Sequence, residues 1–212
     1  MKFGERFLAL ASVGLAATIS MTGCSSEPQQ AVLPEDSIVV ALGDSLTYGY
    51  GTSLETAYPM VLAELSKWRV INAGVNGDTS ADVLARVDEI VKKAPDLVLL
   101  GVGGNDVLQR LPPDTTRANI TATIDTLKSA NIDVVLIAEP YFSTSALFGK
   151  ASDNPLYKDI ASAQDVPLYS GGWSAVLSDD TLKSDRIHAN QAGYRQFAEG
   201  LYEYLQDEGV AQ

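Results

Sequence analysis

From Ser37 onward, short runs of β-branched and aliphatic residues alternate with longer stretches in which apolar positions recur every three or four residues. The runs SIVVAL (37–42), WRVINA (68–73), DLVLLGV (96–102), IDVVLIA (132–138) and VPLYS (166–170) are bounded by turn residues and read as strands buried on both faces. Between and after them lie AYPMVLAELS (57–66), TSADVLARVDEIVKK (79–93), TTRANITATIDTLKSA (115–130), NPLYKDIASAQ (154–164) and NQAGYRQFAEGLYEYLQDEG (190–209), all with helical period. This alternation predicts a three-layer α/β/α domain over residues 37–212, built on a mostly parallel five-stranded sheet. In such sheets function collects beyond the C-terminal ends of the strands.

The first run is followed by GDSLTYGYG (43–51), the second by GVNGDTS (74–80) and the third by GGND (103–106); Asp185 and His188, in SDRIHANQAGY (184–194), precede the last helix. All four polar segments therefore fall on one edge of the predicted sheet. His188 is the one histidine and Cys24 the one cysteine, so a cluster of imidazole or thiolate metal ligands cannot be assembled, and no metal or cofactor is expected. Nucleophilic catalysis remains available, since it needs a hydroxyl, a base and an orienting acid.

Ser45 follows a strand and a glycine, where a tight turn presents both its hydroxyl and its N–H at the sheet edge; a helix cap would explain the same residues without catalysis. The three-residue offset of Asp185 and His188 lets a carboxylate meet Nδ1–H and leaves Nε2 free to take a serine proton, although a capping Asp and a surface His would explain the same pair. Asn105 could donate its amide to an oxyanion or simply hold a βα turn. Either Gly77 or Gly74 could expose a backbone N–H to the same charge, and spacing does not choose between them.

Composition and the N-terminus place this chemistry outside the cytoplasm. Lys2 and Arg6 precede an apolar stretch from Phe7 to Met21, too short for a comfortable membrane span, which reads as a signal segment over residues 1–23. It ends in MTGC, which resembles the lipobox of bacterial lipoprotein signals. That resemblance implies lipidation of Cys24; an ordinary secretory signal with an incidental cysteine is the alternative. Residues 24–36, polar and proline-containing, read as a flexible tether. The net charge of -12 argues against nucleic acid and against electrostatic docking on anionic lipid, so membrane association would come from the lipid.

Taken together, GDSLT with Ser45, NAGVNGDTS with Gly77, GGND with Asn105 and DRIH with Asp185 and His188 resemble the SGNH (GDSL) hydrolase family across residues 37–207, most nearly its arylesterase and thioesterase/lysophospholipase group. The resemblance implies a flavodoxin-like sheet of order 2-1-3-4-5 and selects Gly77 over Gly74. It implies a catalytic Ser45, His188 and Asp185, with the Ser45 and Gly77 N–H groups and the Asn105 amide receiving the oxyanion. The expected substrate is a lipid or small acyl ester at a bacterial envelope, on the outer membrane if the host has one. An O-acetylesterase of cell-wall glycans and a non-catalytic envelope binding lipoprotein are the alternatives, and phosphorylation of Asp44 is a further one. Glu139–Pro155, with Tyr141, Phe142, Leu147 and Phe148, and the segment starting at Gly171, Gly172 and Trp173, are expected to wall the site.

Overall fold

A computed structural model of the chain describes residue 1 and residues 32–141 and 150–212. Cys24, Phe142, Leu147 and Phe148 lie outside the described residues. In chain order the elements are β1 (Ile38–Gly43), α1 (Ser45–Tyr48), α2 (Tyr58–Ser66), β2 (Arg69–Gly74), α3 (Ser80–Ala85), α4 (Val87–Val91) and β3 (Leu97–Gly101). There follow α5 (Gly104–Leu108), α6 (Pro113–Ser129), β4 (Asp133–Ile137), α7 (Leu156–Gln164), β5 (Leu168–Tyr169), α8 (Gly172–Ser178) and α9 (Gln191–Asp207).

The strands pair in parallel in the order β2-β1-β3-β4-β5, as the family resemblance implied. Because successive strand residues point to opposite faces, each central strand feeds two cores. Val39, Ala41, Leu97, Leu99, Val135 and Ile137 pack beneath α2, α8 and α9, while Val40, Leu42, Val98, Leu100, Val134 and Leu136 pack beneath α3, α4, α6 and α7. The two edges depart from the expected full burial: β2 runs from exposed to half-buried, and β5 is a half-buried pair of residues. An edge strand has one neighbour, so its flanks stay open to solvent.

The structure departs from expectation at Trp173 and at Arg86. Trp173 does not wall the site: it is 1 % exposed, stacks on Phe197 with ring centroids 3.6 Å apart, and meets Tyr58 and Tyr194 edge-on. Its glycine neighbours misled the sequence reading, because Gly171 and Gly172 mark the start of α8 and not a loop. Structure also begins before Ser37, since the Leu33 N–H donates to the Val210 carbonyl at 2.9 Å and its side chain packs against the α2/α9 core. The predicted helix 79–93 breaks in two at Arg86, whose φ of -114° and ψ of 7° leave the helical region.

In this sheet the chain moves from β1 to β2 on one side and then to β3 on the other. The reversal opens a crevice between the ends of β1 and β3, where ligands bind in sheets of this kind.

Candidate active site

At the end of β1, Gly43 leaves no room for a side chain: a Cβ there would lie 2.1 Å from the Gly101 carbonyl oxygen. The chain turns sharply, and Asp44 caps α1 by accepting the Leu46 N–H at 2.9 Å. Ser45 is the first residue of α1 and half-buried, and its N–H has no acceptor among the described residues, as the opening turn of a helix leaves it.

After β2 the segment Val75–Asp78 forms a β-turn closed by the Asp78 N–H on the Val75 carbonyl at 3.2 Å. Gly77, third in that turn, has φ +86°, the conformation a type II turn requires and glycine supplies. A Cβ added there would meet nothing within 4 Å, and its N–H likewise has no acceptor among the described residues. Gly74 differs: a Cβ at that position would sit 2.1 Å from the Tyr48 nitrogen, so its smallness serves packing against α1.

Asn105, in the first turn of α5 beyond β3, donates its amide to the Asp78 carbonyl at 2.9 Å and to Asp44 Oδ2 at 3.1 Å. Both amide protons are thus engaged, and an incoming oxyanion must take the longer of these bonds from Asp44. From the far end of the chain, the turn before α9 brings in the imidazole. Asp185 Oδ1 accepts the N–H groups of Ile187 and His188 at 2.9 and 2.8 Å, which folds the turn back on itself. Asp185 Oδ2 lies 2.8 Å from His188 Nδ1, and His188 Nε2 lies 3.0 Å from Ser45 Oγ. Tyr50 covers the imidazole with ring centroids 4.4 Å apart, and its own carbonyl is held by the Tyr194 hydroxyl at 2.9 Å.

Ser45, Asn105 and His188 therefore line one shallow cleft; Asp185 joins it through its bond to His188, and Gly77 precedes Asp78, whose carbonyl Asn105 holds. Leu108 and Ile187 supply the cleft's apolar side. Tyr141 is exposed near the expected wall, whereas Glu139 at its start is buried beneath the sheet edge. Sequence reading gave no role to Arg86, Asp78 or Tyr50, and took Glu139 only as the start of the expected wall. Arg86 is one basic residue within the helical run 79–93, and nothing in its spacing sets it apart.

Burial pushes Asp44 up to about 7, against the Leu46 N–H; the nearby Asp78 and Asp106 charges raise it further and the Asn105 amide opposes them. Its Oδ1 accepts the Leu46 N–H and its Oδ2 the Asn105 amide, and the side chain is buried. Partial burial raises Asp185, but the N–H of Ile187, the imidazole and the N–H of His188 outweigh that effect and hold its pKa below the ordinary carboxylate value.

Glu139 is pushed well above the usual range by burial and then by the Asp44 charge; Oε2 accepts the Gly104 N–H at 2.6 Å, while Oε1 has no partner among the described residues. A carboxyl whose pKa is higher folded than unfolded contributes stability that is complete below its unfolded value and lost as pH rises through its folded value. For Asp44 that window runs from 3.8 to about 7, and Glu139 adds to it. Glu139→Gln removes one such proton and one neighbouring charge. The thermal midpoint of the variant minus that of the wild type is expected to increase between about pH 4 and pH 8, by at least about 2 °C. A difference that stays constant across that range in parallel melting curves would contradict a native proton on Glu139.

Comparison with known proteins is in keeping with this geometry. Residues 41–196 match the GDSL-like lipase/acylhydrolase family. The chain is 32 % identical over 175 residues to thioesterase 1/protease 1/lysophospholipase L1 of Escherichia coli K12, spanning 79 % of this chain and 83 % of that protein. It is 33 % identical over 105 residues to an arylesterase of Vibrio mimicus, 47 % of this chain and 52 % of the relative. The psychrotrophic esterase EstA from Pseudoalteromonas superposes with a TM-score of 0.70 at 24 % identity, covering 81 % of this chain and 98 % of that one, a likeness of fold.

Proposed function

Because the chain belongs to the GDSL-like lipase/acylhydrolase family, we propose that it cleaves lysophospholipid-like and aryl esters at a bacterial envelope by acyl transfer through Ser45. The broader statement needs no proposal: the chain is a serine esterase acting on acyl esters. The observation that carries the mechanism is the hydrogen-bonded relay from Ser45 Oγ through His188 to Asp185, at 3.0 and 2.8 Å.

In that mechanism Ser45 Oγ attacks the ester carbonyl carbon while Nε2 takes its proton, and the carbonyl oxygen becomes an oxyanion. The N–H groups of Ser45 and Gly77 stand ready for that charge, and Asn105 exchanges its Asp44 bond for it. His188 returns the proton to the departing alkoxide or phenoxide. Water, deprotonated by the same nitrogen, then attacks the acyl-serine, and collapse of the second oxyanion releases the acid and restores the Ser45 hydroxyl. Asp185 stays ionised throughout and steadies the imidazolium.

Substrate class follows from what lines the cleft. The cleft before Ser45 is shallow and encloses only about 10 Å³, so its described lining surrounds little more than a water-sized group. A chain or aryl ring would lie on Leu108, which is 45 % exposed, and on Ile187. The envelope location is supported by MTGC at residues 21–24 and the apolar segment before it, with Cys24 as the lipidated residue.

One experiment addresses both parts. Membrane and soluble fractions of cells producing the chain are assayed with p-nitrophenyl esters from acetyl to palmitoyl, lysophosphatidylcholine and acetylated xylan. Activity is expected in the membrane fraction on medium-chain esters and lysophospholipid, and in the soluble fraction for Cys24→Ser. Confinement of activity to acetyl groups would favour the O-acetylesterase reading, and a soluble wild-type enzyme would remove the anchor.

A further inference from the structure

The two turns that carry the free N–H donors come from different strands, and one side chain joins them. Arg86 Nε donates to Asp78 Oδ2 at 2.8 Å and Arg86 Nη2 donates to the Gly43 carbonyl at 2.9 Å. Gly43 lies two residues before Ser45, and Asp78 directly follows Gly77. The same Gly43 carbonyl accepts the Val75 N–H at 3.1 Å, while the Asp78 carbonyl accepts Asn105. Arg86 and Asp78 side chains are 21 % and 13 % exposed, so solvent screens this pair only partly.

We propose that Arg86 is a positioning residue for ester hydrolysis, one that fixes the separation of the Ser45 and Gly77 N–H groups by clamping Gly43 to Asp78. The inference rests on the acyl-transfer reading above. Gly77 needs such support. It has left-handed backbone, and among the described residues no atom would touch a Cβ built on it, so on that side the turn has no packing partner. An oxyanion donor acts only if it already points at the place where charge develops, and a displacement of about 1 Å in catalytic geometry costs about 10²-fold in rate. A planar guanidinium makes two directed bonds at a fixed angle, which an ammonium cannot reproduce. The helix break at Arg86 coincides with this reach: the residue leaves helical geometry where its side chain crosses to the sheet edge.

Because Arg86 touches no reacting atom, its removal should impair the transition state and leave ground-state binding alone. The test measures kcat and KM separately for p-nitrophenyl acetate, with thermal midpoints as a control for folding. Arg86→Ala is expected to lose about 10- to 100-fold in kcat with KM within about threefold, and Arg86→Lys to fall between it and the wild type. Guanidinium chloride at low millimolar concentration should restore at least about threefold of the lost kcat in Arg86→Ala and leave the wild type unchanged.

A folded Arg86→Ala with kcat near wild type, a loss confined to KM, or no response to guanidinium overturns the proposal. Should Arg86→Ala fail to fold, Arg86→Lys decides: kcat equal to wild type overturns it. An inactive wild type, or a fully active Ser45→Ala, would instead defeat the acyl-transfer reading. The two failures are therefore distinguishable.

Discussion

Ser45→Ala is expected to lower kcat for p-nitrophenyl esters by about 10⁵- to 10⁶-fold while leaving the fold intact. The size follows from the mechanism: without Oγ there is no acyl-enzyme, and the relay from Nε2 at 3.0 Å has no proton to receive. What survives is the contribution of the two free N–H donors and of binding, which act on direct attack by water. The structural cost is small. Ser45 is only half-buried and its hydroxyl bonds the imidazole, a partner that water can replace. Near-UV circular dichroism and the thermal midpoint should therefore match the wild type. A variant that kept more than about 1 % of wild-type kcat would contradict an acyl-serine route.

His188→Gln should cost nearly as much, about 10⁵-fold, because the chain has no second histidine to substitute for it. This variant also settles which group shapes the pH profile. Only a neutral imidazole accepts a proton from Ser45, so wild-type activity is expected to rise with pH from the acid side. Asp185 is a poor candidate for that limb, because, against its partial burial, its bonds to the Ile187 and His188 N–H groups and to the imidazole hold its pKa below the ordinary carboxylate value. Asp44 is the competitor, being pushed up to about 7 beside the nucleophile. If the imidazole governs the limb, the residual activity of His188→Gln should lose it; an unchanged limb in that variant would shift the titration to Asp44. Rates from pH 5 to pH 9 at saturating ester make the distinction.

The sheet was legible in the sequence because each central strand is buried on both faces. Val39 to Leu42 and Leu97 to Leu100 must be apolar at every position, and no helix of that length would need it. Edges were less legible: β5 shrinks to Leu168 and Tyr169, since a strand with one neighbour is set by pairing as much as by composition. The short helix α1 was expected after the Ser45 turn, but helices α5 and α8 were missed for another reason. At five and seven residues they are too short for hydrophobic period to show, and each opens at a glycine that reads as a turn.

Within the site, residues whose chemistry is rare stood out, and residues whose chemistry is common did not. A lone histidine three positions after an aspartate draws notice in any chain. Arg86 does not, because its importance lies in reaching a carbonyl 43 residues away, which only the fold can reveal. Glu139 was grouped with an aromatic wall on the strength of its neighbours, although its place at the end of a central strand buries it. Gly74 and Gly77 were inseparable by spacing, and the structure shows different demands on them: one lacks room for a side chain, the other needs positive φ.

Covalent capture of the nucleophile tests the central claim most directly. The chain is treated with a fluorophosphonate, and the adduct is located by intact mass and peptide mapping alongside residual esterase activity. The expected result is a single adduct on Ser45, loss of activity in proportion to labelling, and no adduct in Ser45→Ala. An adduct on a different residue, or an active esterase that resists labelling, would contradict acyl transfer through Ser45.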